Sequence, residues 1–213
     1  MSTKILVTRV RPEYSPLVNE AYDREGEYDD GFDLRSYFVA AYLDLTCVGI
    51  VRLTSGPNGP LQKWSIGPCP LPDGPNIIQM TRAVVKTSAR RRSIYRLMML
   101  RAMTFAFESD YSHAVAVIDP DYRQRQFLFD LGFTEIAAQS MYSWFPNVSG
   151  PRRNIVCHLA DSHLKWDVVR QSLAMENASE QFVLKKRHHS LLPLPPSLSA
   201  SRLSKCCRPH RSP

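Results

Sequence analysis

Along the chain, Lys4 to Val10 predicts an edge strand and Tyr14 to Asp23 a short helix. Ser36 to Leu43 and Thr46 to Leu53 are both rich in β-branched and aromatic residues, and the short polar break between them predicts a hairpin. Thr54 to Asn76 holds six prolines with glycines among them, which predicts a surface loop suited to act as a lid. Ile77 to Val85 then reads as a buried strand, and Ile94 to Phe107 as a largely apolar helix. Ala114 to Ile118 is a continuous apolar run of the kind buried on both faces of a sheet. Pro120 permits a helix start, so Tyr122 to Leu131 predicts a helix that Gly132 stops. Phe133 to Ile136, Ser140 to Phe145 and Arg153 to Leu159 predict three further strands. This order is that of a mixed α/β domain with helices packed on a central sheet. Ser162 to Asn177 predicts a last helix, with Leu164, Val168, Val169 and Leu173 near one face. From His188 onward, prolines mixed with serines and basic residues predict disorder.

Length and composition are consistent with this picture. The chain has 213 residues, 44% of them hydrophobic, enough to bury the core of one domain with a tail. The formal charge of +7 invites a nucleic-acid partner, but residues 185 to 213 carry seven basic and no acidic side chains. Removing those seven from the 27 Lys and Arg leaves 20 basic against 20 acidic residues, so the body is neutral. Within the body the charge is polarised. Glu20, Asp23, Glu25, Glu27, Asp29, Asp30 and Asp33 crowd one segment opposed only by Arg24. Gly74 to Phe107, by contrast, holds no Asp or Glu but carries Arg82, Lys86, Arg90, Arg91, Arg92, Arg96 and Arg101. Arg90, Arg91 and Arg92 mass where the strand turns into the helix. A helix start beside arginines suits a phosphate, through its backbone N–H groups and positive dipole end. Two opposite fields in one domain suggest two differently charged ligands, unless the acidic run is only a solvated loop.

Several chemistries find no support. Five cysteines, odd in number, two of them adjacent (Cys206 and Cys207) and none in a CxxC pair, fit neither a zinc site nor a secreted disulfide framework, so a reducing, cytoplasmic setting is expected. The histidines lack metal-ligand spacing, and no serine sits in a G-x-S-x-G elbow. No metal and no acyl-enzyme are therefore expected. No segment is long and apolar enough to cross a bilayer, and the N-terminus lacks a signal-peptide core.

The residues Asp30-x-x-Asp33, then Val48-Gly49-Ile50-Val51-Arg52-Leu53, then Gln79-Met80-Thr81-Arg82-Ala83-Val84 form a resemblance. In this order they resemble the acyl-homoserine-lactone (autoinducer) synthases and N-acyl amino acid synthases, within the GCN5-related N-acyltransferase fold. Ile118-Asp119-Pro120 and Phe129-x-x-Gly132-Phe133 match that fold's later strand, helix and turn. The resemblance covers about residues 14 to 160 and implies a central mixed sheet flanked by helices in three α-β-α layers. Residues 1–160 would be the acyltransferase domain, 161–187 a helical extension and 188–213 a disordered basic tail.

The resemblance implies that Asp30, Asp33, Arg52, Gln79 and Arg82 form the catalytic cluster. Backbone around Ala83, Val84 and Val85 would stabilise an oxyanion, while Arg90, Arg91, Arg92 and Ser93 would bind the donor's phosphopantetheine. Acyl-carrier protein or acyl-CoA would be the acyl donor and S-adenosylmethionine or an amino acid the acceptor. No cofactor would be permanently bound. Two departures matter. Gln79 stands where the family has a glutamate, and a carboxamide cannot take up a proton. Arg90-x-x-Ser93-x-Tyr95 lacks both glycines of the related acetyltransferases' phosphate loop, which favours a single carrier-protein phosphate over a pyrophosphate. Competing readings are a CoA-dependent acetyltransferase of a small amine or protein, and a catalytically degenerate domain that binds a ligand or partner.

Overall fold

The computed structural model describes residues 3–9, 12, 14–22, 30–66, 71–72, 76–119, 123–142 and 150–159. The expected helix over 162–177 and the basic tail lie outside the described residues, as does most of the acidic run. The elements are β1 (Thr3–Thr8), α1 (Ser15–Tyr22), β2 (Ser36–Leu43), β3 (Thr46–Ser55), α2 (Pro60–Trp64), β4 (Ser65–Ile66) and β5 (Ile77–Val85). They continue with α3 (Ile94–Glu108), β6 (His113–Ile118), α4 (Arg125–Asp130), β7 (Thr134–Tyr142) and β8 (Gly150–His158). The strands form one sheet in the order β1-β2-β3-β5-β6-β8-β7-β4. β5 and β6 run parallel, which requires the crossover through α3, and the other neighbouring pairs are antiparallel.

Alternation along the strands builds three layers, because successive side chains point to opposite faces. Val39, Ala41, Val51, Leu53, Ile78 and Met80 join Ile94, Met98, Ala102 and Met103 of α3 in one core, which also takes in Phe127 and Leu128 of α4. Their neighbours Phe38, Ala40, Ile50 and Val84 face the other way and pack against Tyr14, Leu17 and Val18 at α1. Gly49 lets α3 approach closely, since a Cβ there would lie 3.0 Å from the Met98 sulfur. The β2–β3 hairpin turns on Asp44 (φ 45°) and Leu45 (φ 73°), the two positive φ values that a tight hairpin matching the strand twist requires.

Two expectations are corrected. The proline-rich stretch is not loop throughout, because Pro60 at the first helical position starts a short helix that leads into β4. The two strands expected after Phe133 are one strand, Thr134–Tyr142, whose pairing with β8 is irregular between Glu135 and Gln139. That irregularity absorbs the weakly patterned Ala137-Ala138 within a continuous strand.

Candidate active site

The face of the sheet that meets α1 is apolar at one end and polar at the other. Beyond Phe38 and Ile50 the same face presents Ser36, Arg52, Thr54, Gln79 and Thr81, all buried. Register explains the row. Phe38 lies opposite Arg52, Arg52 opposite Thr81, Thr54 opposite Gln79, and Ser36 opposite Thr54. Ser36 and Thr54 close that end by sharing a hydrogen bond of 2.7 Å, and the Ser36 hydroxyl also donates to the Phe32 carbonyl at 2.7 Å.

Four charges converge on this polar half. The fully buried Arg52 guanidinium donates to both carboxylate oxygens of Asp30, at 2.6 and 2.7 Å, and to Asp33 at 2.8 Å. Its Nε donates to the Thr81 hydroxyl at 3.0 Å. Arg82 pairs with Asp30 at 3.2 Å and with Asp33 at 3.3 Å. The Tyr14 hydroxyl donates to Asp33, and the Tyr14 ring lies beneath the Arg82 guanidinium with its centroid 5.1 Å away. The Phe32 N–H donates to Asp30 at 3.1 Å. Two arginines and two aspartates cancel formally, and such a buried fork-on-carboxylate lattice is geometrically demanding.

The cluster sits where the sheet opens. Opposite Val51, β5 carries an extra residue, since Ile50 pairs with Val84 but Arg52 with Thr81. Arg82 takes the left-handed backbone this bulge needs, with φ 53°. The Asp30 and Asp33 carboxylates therefore hold a strained residue by its side chain. β5 pairs with β6 only over Ile77–Met80, while β5 runs on to Val85 and β6 to Ile118. From Thr81 the β6-facing edge of β5 has no strand beside it among the described residues. Ala83 is exposed there.

Arg90, Arg91 and Arg92 are exposed in the turn between β5 and α3, with Ser93 as the N-cap of α3. Arg90 Nε donates to the Val85 carbonyl at 3.2 Å, which anchors the turn to the end of β5. Arg91 (φ 67°) and Ser93 (φ 54°) are both left-handed, a backbone that glycine adopts without strain. Glu20 at the end of α1 accepts the Thr87 N–H at 2.8 Å. Hydrogen bonds from the Thr87 side chain and backbone, with Lys86 and Arg90 nearby, hold its carboxyl below the ordinary glutamate range.

Gln79 is fully buried and turned toward the segment after β3, with two hydrogen bonds to the loop backbone and one to the first turn of α2. Tyr14, Phe32, Thr81 and Lys63 complete the cluster and were not singled out from the sequence. Lys63 donates to the Asp30 carbonyl at 3.1 Å and lies over the Phe32 ring at 5.2 Å. Phe32 and Thr81 adjoin Asp30 and Arg82 in sequence, which does not distinguish them from other neighbours, and Tyr14 and Lys63 carry no linear signal at all. Among the described residues there is no group of His, Cys, Asp and Glu able to hold a metal ion, and no helix is long and apolar enough to cross a membrane.

No protein-family model and no curated protein sequence matches the chain. Solved structures do. BjaI, a CoA-dependent acyl-homoserine lactone synthase solved with SAM and isopentyl-CoA, matches with a TM-score of 0.60 at 13% identity, over 87% of this chain and 95% of its own. FeeM, an N-acyl amino acid synthase from uncultured soil microbes, matches with a TM-score of 0.55 at 14% identity, over 76% and 94%. A Lactobacillus plantarum protein assigned as an N-acetyltransferase matches with a TM-score of 0.52 at 13% identity, over 75% and 99%. At such identities the likeness is one of fold, and the chain has the mixed α/β fold of the GCN5-related N-acyltransferases.

Proposed function

We propose that this protein is an N-acyltransferase that moves an acyl group from a thioester, acyl-carrier protein or acyl-CoA, to an amine such as S-adenosylmethionine or an amino acid. The observation that carries the reading is the meeting of the Asp30–Asp33–Arg52–Arg82 lattice with the bulge where β5 parts from β6. The BjaI and FeeM likeness supports the acceptor classes, since those proteins are described as synthases of acyl-homoserine lactone and N-acyl amino acid.

The chemistry follows from this arrangement. The thioester enters along the unpaired edge of β5, and backbone N–H groups of the Ala83–Val85 segment stabilise its carbonyl oxygen as charge develops. The acceptor nitrogen's lone pair forms the C–N bond while the carbonyl electron pair moves to oxygen. Collapse of that adduct breaks the C–S bond, and the proton lost by nitrogen ends on the departing thiolate. Asp30, Asp33, Arg52 and Arg82 keep the bulge open by fixing Arg82 in its left-handed backbone, and Asp30 and Asp33 mark the side from which the amine arrives. Arg90, Arg91, Arg92 and Ser93 receive the donor's phosphate at the start of α3.

The test supplies the full chain with acyl-CoA or acyl-carrier protein and with S-adenosylmethionine or an amino acid panel. Thiol release and the acylated amine are followed by colorimetry and mass spectrometry. The expected result is stoichiometric thiol and N-acyl product. Folded protein giving neither above background overturns the proposal. Arg91→Glu should raise the donor KM about three- to tenfold with kcat little changed.

A further inference from the structure

The carboxamide of Gln79 meets the loop after β3 with all its polar hydrogens in use. Nε2 donates one hydrogen to the Gly56 carbonyl at 2.7 Å and the other to the Pro57 carbonyl at 2.9 Å. Oε1 accepts the Leu61 N–H at 2.9 Å. This pattern fixes which end is nitrogen, because a flipped amide would set its oxygen against two carbonyl oxygens. Gly59 also packs tightly against the amide. A Cβ at Gly59 would be 2.4 Å from Cδ, Oε1 and Nε2 of Gln79 alike. Neighbouring contacts tie this segment to the backbone that carries the two lattice aspartates, for Arg35, two residues after Asp33, donates to the Asn58 carbonyl, and Lys63 of α2 donates to the Asp30 carbonyl.

We propose that Gln79 is a positioning residue that holds the Gly56–Gly59 loop and the first turn of α2 at Leu61 as a fixed wall beside the ion-pair lattice, in a seat shaped for an amide that rejects a carboxylate. The seat has no place for a proton acceptor. If the protein transfers acyl groups, as read above, its acceptor amine must enter already deprotonated or lose its proton elsewhere, and the wall sets acceptor affinity. A carboxylate at this position would face the Gly56 and Pro57 carbonyls without a hydrogen to give, and burial would raise its pKa.

The experiment compares Gln79→Glu and Gln79→Leu with the parent chain. The Leu61 amide should exchange about tenfold faster or more in both variants, while amides in the middle of α3 keep their protection. A carboxyl with a raised folded pKa ionises first in the unfolded state. The Gln79→Glu deficit in thermal midpoint should therefore be smallest below about pH 4 and widen as pH rises, whereas the Gln79→Leu deficit should not change with pH. On activity, the acceptor KM should rise about tenfold in both variants with kcat within about threefold, and Gln79→Glu should add no new acid limb to the pH profile. A Gln79→Glu protein as stable as the parent at neutral pH, unchanged Leu61 exchange, or a gain in kcat with a new acid limb would each overturn the proposal. Exchange and pH–stability are read without substrate, so they decide the role of Gln79 even if the transferase reading fails.

Discussion

Replacing Arg52 by leucine tests how the ion-pair lattice is built. The substitution removes four hydrogen bonds, two to Asp30, one to Asp33 and one to Thr81. It leaves two carboxylates, each no more than 7% exposed, facing the single guanidinium of Arg82. Removing one partner of a buried pair costs about 3–5 kcal/mol, because the other charge stays desolvated. For a chain of this length each kcal/mol moves the thermal midpoint by about 2–4 °C, so the drop should be about 6–20 °C. Equilibrium unfolding in urea, with the slope checked for constancy, measures the free energy directly. Arg52→Leu/Asp30→Leu restores neutrality, with Arg82 and Asp33 left as a pair. The double variant should be less destabilised than the sum of its singles by at least about 1.5 kcal/mol. High salt should leave these differences nearly intact, since ions do not reach the lattice. A loss under about 1 kcal/mol for Arg52→Leu, or singles that simply add, would refute the reasoning, because that is how exposed pairs behave.

Other outcomes follow from single positions. Ser93→Gly should raise stability by about 1 kcal/mol in chemical denaturation by relieving left-handed strain at φ 54°; a loss would mean that the serine side chain has a role of its own. Gly59→Ala should cost about 2 kcal/mol and speed exchange at Leu61, because its Cβ would press on an amide pinned by three hydrogen bonds. Burial, and His158 with its ring centroid 4.9 Å away, lower the pKa of His113. The unfolded state then binds its proton first, so this contribution to stability is complete above about pH 6.5 and is lost as pH falls through that value toward the lowered folded pKa. Titrating the His113 ring by NMR in the parent and in His158→Gln should show an upward move in the variant.

Much of the architecture was legible along the chain. The hairpin over residues 36–53, the strand over 77–85, the helix from Ile94 and the strand ending at Ile118 all follow from apolar, β-branched and aromatic runs whose length and boundaries match the element they form. Short-range chemistry was weaker evidence where patterns mixed. The proline-rich stretch hid α2 because Pro60 serves equally as a loop residue and as a helix start. Charge asymmetry was also visible, since Arg90, Arg91 and Arg92 are adjacent in sequence and need no fold to be neighbours.

Tertiary structure alone decided what the polar residues touch. Arg52 lies 22 positions from Asp30, and Arg82 lies 49 from Asp33. They meet because register sets Arg52 against Thr81 and an extra residue on β5 turns Arg82 back toward the same lattice. The partners of Gln79 were equally hidden, since nothing in a glutamine announces two loop carbonyls and an amide at the start of α2 waiting about twenty residues earlier. A hydrophobic run and the residues that bound it are properties of neighbouring positions, and so the sequence displays them directly. Cross-strand register, the bulge and hydrogen-bond partners depend on how distant segments pack, and only the folded chain brings those segments within reach of one another.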